Sequence, residues 1–250
     1  MFSEVESFYI FSGAAPGAGQ FPLHRFPDGW SRFIEVGPGA GEGLLALAQE
    51  MPASTFVGLE PDAPARSGML SLVRERGLRN LAVLPIPVQD FMCTDAFDIV
   101  LADHLLCSVP DENLESCIAS LPRLMNKNST LFIDDFFGVE EDFDGRVVAC
   151  ASAGIYTYTR WFHAERVASK IRIVNRYEVT ATASGRVIWR DEKVFTRQRG
   201  RERTCKDLLD IAGLVEDSQR LTIDGYATVS LKKFCSDLLI RNTRPRRRRA

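Results

Sequence analysis

The stretch "FIEVGPGAGEG", residues 33–43, decides the fold. It opens as an apolar run containing one acid, Glu35, and breaks into glycines at alternate positions, Gly37, Gly39 and Gly41. "EGLLALAQEMP" follows, with leucines at helical spacing and Pro52 to close the pattern. Strand, glycine turn and helix in that order build a loop whose backbone approaches a ligand closely. The chemistry of the ligand is what the loop must reveal.

Phosphate does not suit it. A dinucleotide fingerprint runs G-x-G-x-x-G, and the sixth position is Glu42 counted from Gly37 and Leu44 counted from Gly39. A carboxylate there would face a pyrophosphate where bare N–H groups are wanted. No Gly-Lys-Ser/Thr follows, so a P-loop is excluded as well. A second glycine stretch, "GAAPGAG" at 13–19, has no helical pattern behind it and reads as a surface loop.

Working outward, "TFVGLE", "NLAVLPIPV", "FDIVLAD" and "STLFIDDF" are further strands. They alternate with helical patterns in "PARSGMLSLVRERG" and "DENLESCIASLPRLMN". Such alternation predicts an α/β fold with a doubly wound, mostly parallel sheet. Pro85 and Pro87 place the third strand at a sheet edge, where a missing N–H is tolerated. The alternation stops after residue 135. "KIRIVNRYEVTATASGRVIWRDEKVFTR" predicts a hairpin turning at Ser184-Gly185, with Ile171, Ile173, Tyr177, Val179 and Ala181 on one face. A helix capped by Thr204 and Gly213 follows, then the strand pair "LVEDSQRLTID" and "YATVSLKKF". The expected organisation is a core of 1–135 and 201–240, an inserted β-rich segment at 136–200, and a disordered basic tail at 241–250.

Glu35-x-Gly37-x-Gly39-x-Gly41 resembles the first motif of the class I S-adenosylmethionine-dependent methyltransferases. That cofactor carries an ammonium, a sulfonium and a ribose but no phosphate, so an acid beside bare glycines complements it. The resemblance runs in register over about residues 30–135 and more loosely to 234. It implies a Rossmann-like, seven-stranded sheet with an antiparallel last strand and an insertion after the fifth. It also implies roles. Glu60, ending "FVGLE", matches the acid that takes both ribose hydroxyls, and Asp90 in "PVQDF" the acceptor of the adenine amino group. Asp103 in "FDIVLADHLLCSVPD" matches the region lining the methionine moiety. These acids would end successive strands, where open α/β sheets hold their ligands.

For the acceptor, the resemblance implies a cap over the substrate cavity at 136–200. "GIYTYTRWFH" offers Tyr158, Trp161 and His163 to line it, and His104 is placed as a general base if the nucleophile must lose a proton. A small-molecule oxygen or nitrogen is the expected acceptor. The segment "IEVGPGAGEGLLALAQEMPASTFVGLEPD" is also similar to bacterial tRNA 7-methylguanosine methyltransferases. That family's Pro-Asp-Pro-Trp-Pro segment is replaced by "LLCSVPDEN". Outside the six-arginine tail "RNTRPRRRRA", 25 basic residues stand against 33 acidic ones. On these grounds nucleic acid is not expected as a partner. Asp103, Asp134 and Asp135 resemble the metal ligands of caffeoyl-coenzyme A O-methyltransferases, but an Asp-Asp pair replaces the family's Asp-Asn and no metal is expected.

Six cysteines lie scattered without a Cys-x-x-Cys pair and read as buried thiols in a reducing compartment. "MFSEVESFYIF" lacks a basic n-region and no apolar run is long enough to span a bilayer, so a cytoplasmic location is expected. Nothing in the sequence sets the oligomeric state.

Overall fold

Alternation along the central strands explains the layering. The structure, a computed structural model, describes residues 26, 28–103, 105–134, 142–223 and 226–233. In β1 (Arg32–Val36), Phe33 points to one side of the sheet and Ile34 and Val36 to the other. In β4 (Phe97–Ala102), Ile99 and Leu101 oppose Val100 and Ala102 in the same way. Each side therefore offers an apolar surface that needs a helical layer. On the first side α1 (Glu42–Glu50) and α2 (Ala63–Glu75) bury Leu44, Leu45, Ala48 and Met69 against Phe33 and Phe56. On the second side α4 (Leu114–Leu124) brings Cys117, Ile118 and Leu121, and α5 (Arg201–Ile211) brings Cys205 and Leu209.

The main sheet also contains β2 (Thr55–Leu59), β3 (Leu81–Leu84), β5 (Met125–Asp134), β10 (Leu214–Ile223) and β11 (Tyr226–Lys233). Its order is β10-β11-β5-β4-β1-β2-β3, with β1 to β5 parallel and β11 antiparallel to both neighbours. The expected α/β architecture is met. β3 is the edge strand and stops at Leu84, one residue before Pro85, for the reason the prolines give. No helix among the described residues is long and apolar enough to cross a membrane.

Between β5 and α5 stands a separate antiparallel sheet of β6 (Phe143–Ala153), β7 (Tyr156–Val167), β8 (Lys170–Ala181) and β9 (Val187–Gln198). β8 and β9 turn through Ser184-Gly185, with Gly185 at φ 66. One helix boundary differs from expectation. Thr204 does not cap α5: the helix begins three residues earlier behind Gly200 at φ 77, and the Thr204 hydroxyl bonds back to the Gly200 carbonyl.

At the amino edge of the sheet, Asp98 fastens β4 to β1. Its carboxylate accepts from the Ser31 N–H at 3.0 Å, the Arg32 N–H at 2.9 Å and the Asn126 amide at 3.1 Å. Burial pushes this carboxyl upward, but those bonds and the Arg32 guanidinium outweigh it and hold it below its usual 3.8. A depressed carboxyl stabilises the fold above the unfolded value, and the contribution is lost as pH falls through the folded one. Asp98→Ala is therefore expected to lower the unfolding free energy by about 1–3 kcal/mol at neutral pH. In denaturant melts the deficit should shrink below pH 4.

Candidate ligand cleft at the carboxyl edge

Parallel strands end on one edge, and the expected residues follow from that. The Gly37 N–H donates to the Leu59 carbonyl at 2.9 Å and the Glu60 N–H to the Leu84 carbonyl at 3.0 Å. The ends of β1, β2 and β3 are thereby stitched side by side. Asp103 follows β4 directly, and Asp90 ends the 3-10 turn Val88–Asp90 beyond β3. The structure thus brings Gly37, Gly39, Gly41, Glu60, Asp90 and Asp103 to the same edge, with Glu35 buried in β1 just before it. Asp90 is exposed and Asp103 half-buried.

The glycine loop is held from below by an acid. Glu60, 6% exposed, accepts the Gly39 N–H at 2.7 Å on one carboxylate oxygen and the Asp62 N–H at 2.9 Å on the other. Each oxygen keeps a further lone pair for a ligand hydroxyl. Burial raises the Glu60 carboxyl above its usual 4.5, against the lowering effect of the two backbone bonds. Asp62 in turn caps α2, accepting the Ala65 N–H at 3.0 Å. Gly41, at φ 72, opens α1, and a Cβ there would stand 2.5 Å from the Met69 sulfur. Loop, strand end and two helices therefore form one packed unit.

The segment after β4 forms a second wall. Leu105 Cδ1 lies 3.1 Å from where a Cβ on Gly37 would stand, so the short helix α3 (Leu105–Ser108) leans on the glycine loop. Its Leu106 carbonyl is held by Arg201, which is 3% exposed. The sequence reading missed Arg201, because a loop arginine before a helix pattern carries no sign of burial. Cys117, beneath this segment, is pushed by burial to about 12 and is no nucleophile at neutral pH. His104, Asp135, the glycines at 13–19 and the arginine tail lie outside the described residues, as does the Asp134 side chain. Among the described residues no three His, Cys, Asp or Glu side chains gather as metal ligands.

The aromatic candidates on the antiparallel sheet divide. Tyr158 pairs with Val179, and the same face carries Ala164, Ile171, Ile173 and Asn175, all buried. Arg197 leaves β9 on that face and donates to the Ser108 carbonyl at 2.9 Å, so the Tyr158 face is turned toward the segment after β4. Trp161 and His163 have the opposite parity on β7 and sit half-exposed on the other face. The structure does not bring these three together. Instead Tyr158 shares its face with Tyr177, Trp189 and Arg160, whose guanidinium bonds Asn175 Oδ1 at 2.8 Å and lies 5.9 Å from the Tyr177 ring centroid.

Comparison with known proteins agrees with this geometry. The family model Methyltransf_4, described as "Putative methyltransferase", matches residues 30–109. A tRNA (guanine-N(7)-)-methyltransferase of Escherichia coli (strain UTI89 / UPEC) is 35% identical over 81 residues, 32% of this chain and 28% of the relative. That of Edwardsiella ictaluri is 34% identical over 82 residues, 33% of this chain and 29% of the relative. The chain thus spans under a third of the length of these curated relatives. Among solved structures, an S-adenosylmethionine-bound amino pentose methyltransferase from Micromonospora echinaspora aligns with TM-score 0.62 at 18% identity, over 82% of this chain and 84% of its own. A sugar N-methyltransferase from Streptoalloteichus sp ATCC 53650 aligns with TM-score 0.61 at 17% identity, over 93% and 88%. At such identities the likeness is one of fold.

One expectation needs correcting. The acidic body and the missing Pro-Asp-Pro-Trp-Pro segment argued against nucleic acid as a partner, yet the curated relatives, matched over about a third of the chain, are named for tRNA. A charge summed over a whole chain does not set the charge of one face, and that is where the composition argument failed.

Proposed function

We propose that the chain is a class I S-adenosylmethionine-dependent methyltransferase that moves a methyl group from S-adenosylmethionine to an oxygen or nitrogen of a small molecule. The observation that carries this reading is the bond from the Gly39 N–H to Glu60. In a phosphate loop such an N–H is left free for the anion. Here a buried carboxylate consumes it, so the loop suits a phosphate-free, cationic ligand.

The residues fit that cofactor in kind. Glu60 has lone pairs left for two ribose hydroxyls, Asp90 beyond β3 would accept from an adenine amino group, and Asp103 after β4 would lie toward the methionine end. Glu35 lies buried beneath the loop. The bound cofactor supplies a methyl group already activated by its sulfonium. The protein's part is then alignment of the acceptor and exclusion of water, with His104 proposed as the base where a proton must leave.

We place the acceptor against the Tyr158 face of the antiparallel sheet, with residues 136–200 as its cover. Support comes from the burial of that face, its contact with Ser108 through Arg197, and a fold likeness to sugar methyltransferases across most of the chain. Tyr158→Ala should lower kcat/KM for the acceptor about tenfold, about 1.4 kcal/mol, with cofactor affinity little changed. Trp161→Ala, on the outer face, should change it less than about threefold. Equal losses in both would remove the assignment of faces.

A second reading, methylation of tRNA, is favoured by the names of the curated relatives matched over about a third of the chain. One experiment separates the two. Labelled S-adenosylmethionine is offered with bulk tRNA in one arm and with amino sugars, sugar nucleotides, amines and phenols in the other. The proposal expects label in the small-molecule arm, and label on tRNA alone would replace it with the second reading.

A further inference from the structure

Among the described residues Arg201 is a heavily bonded buried group outside the glycine loop, and four of its bonds reach one short segment. Nε and Nη2 donate to the Leu106 carbonyl at 3.0 and 2.6 Å, Nη2 also to the Val109 carbonyl at 2.6 Å, and Nη1 pairs with Asp111. Two neighbours act on the same segment. The Gln198 N–H donates to Asp111 Oδ2 at 2.8 Å, and the Arg197 guanidinium to the Ser108 carbonyl at 2.9 Å. The exit of the antiparallel sheet, residues 197–201, is thus bolted to residues 106–111.

The physical need is plain. α3 has four residues, too few to be stable as an isolated helix, and its last carbonyls have no partners within it. Two guanidinium groups meet those carbonyls at the negative end of the helix, and Arg201 does so with a fork that one ammonium cannot copy. Leu105, at the start of α3, is the side chain against Gly37. A continuous run of contacts therefore leads from β9 through Arg201 and α3 to the first glycine of the loop.

We propose that Arg201 is a positioning residue that couples the antiparallel sheet to the glycine loop, so that the sheet's placement sets how well the loop holds its ligand. The ligand named in the test rests on the methyltransferase reading. The coupling itself does not.

The test is Arg201→Lys, which keeps the charge and loses the fork. Its far-UV spectrum and thermal midpoint establish that it is folded. Amide hydrogen exchange without cofactor should then be at least about tenfold faster at 105–109 and also at 37–41, with β2 and β4 amides unchanged. S-adenosylmethionine should bind the same variant about tenfold more weakly. Faster exchange confined to 105–109, with 37–41 and affinity as in the wild type, would overturn the coupling. If Arg201→Lys does not fold, Arg197→Ala, which removes one outer bond, serves in its place. About threefold changes in the same two segments support the proposal, and no change at 37–41 overturns it. Failure of the wild type to bind S-adenosylmethionine would count against the donor assignment, and the exchange result would still decide the coupling.

Discussion

Glu60→Ala is expected to weaken S-adenosylmethionine binding by about 2–4 kcal/mol, and Glu60→Gln by nearly as much. Two losses combine in the alanine variant: the acceptors proposed for the ribose, and the anchor that holds Gly39 and Asp62. Considered from the ribose alone, glutamine should be mild, since one acceptor oxygen survives. The structure removes that expectation. Both oxygens already face backbone donors, so a glutamine must turn its NH2 toward the Gly39 or the Asp62 N–H. A buried donor facing a donor costs about 1–3 kcal/mol. Calorimetric titration of both variants checks this, and wild-type affinity in Glu60→Gln would mean that Glu60 does not anchor the loop.

The same residue sets a pH dependence with a definite sign. Burial raises the Glu60 carboxyl above 4.5, so the folded apoprotein holds this proton more tightly than the unfolded chain. Its contribution to fold stability is present below pH 4.5 and is lost as pH rises through the raised value. Cofactor binding runs the other way, because ribose hydroxyls and a cationic ligand favour the ionised form. Affinity should fall as pH drops through the raised value, and Glu60→Ala should flatten the profile in that range.

The second large effect is expected at Gly41. At φ 72 an alanine pays about 1–2 kcal/mol for the left-handed backbone alone. Its Cβ would also stand 2.5 Å from the sulfur and 2.8 Å from Cγ of Met69, which is fully buried. Forcing a methyl into a filled core adds about 1–3 kcal/mol. Gly41→Ala should therefore lose about 2–5 kcal/mol of stability in denaturant unfolding, and cofactor affinity with it, since α1 starts at this residue. A double-mutant cycle with Met69→Ala separates the two causes. Favourable coupling of about 1–3 kcal/mol reports the relieved clash, and what remains belongs to the backbone.

The central fold was legible because each part had a local signature. Alternating apolar runs and helical patterns specify the parallel sheet, Pro85 stops the edge strand, and Ser184-Gly185 turns the β8–β9 hairpin. The strand-end acids were legible because chain order maps directly onto one sheet edge when strands are parallel. What escaped depended on contacts distant in sequence. Nothing local says that Glu60 is spent on Gly39, twenty-one residues back, or that Arg201 reaches Leu106 across ninety-five. Thr204 looked like a cap because threonine before an apolar helix usually is one, whereas Gly200 had already started the turn. The grouping of Tyr158 with Trp161 and His163 assigned no secondary structure to the segment. As strand β7 it obeys a period of two, and an odd separation sends side chains to opposite faces.

The central claim is that the Gly37–Gly41 loop and Glu60 hold S-adenosylmethionine. Calorimetric titration of the full chain with S-adenosylmethionine, repeated with Glu60→Ala, tests it most directly. The account predicts saturable one-site binding to the wild type, competition by S-adenosylhomocysteine, and a loss of about 2–4 kcal/mol in the variant. Binding of equal strength in both proteins, or displacement of the cofactor by pyrophosphate-bearing nucleotides in preference to S-adenosylhomocysteine, would contradict it.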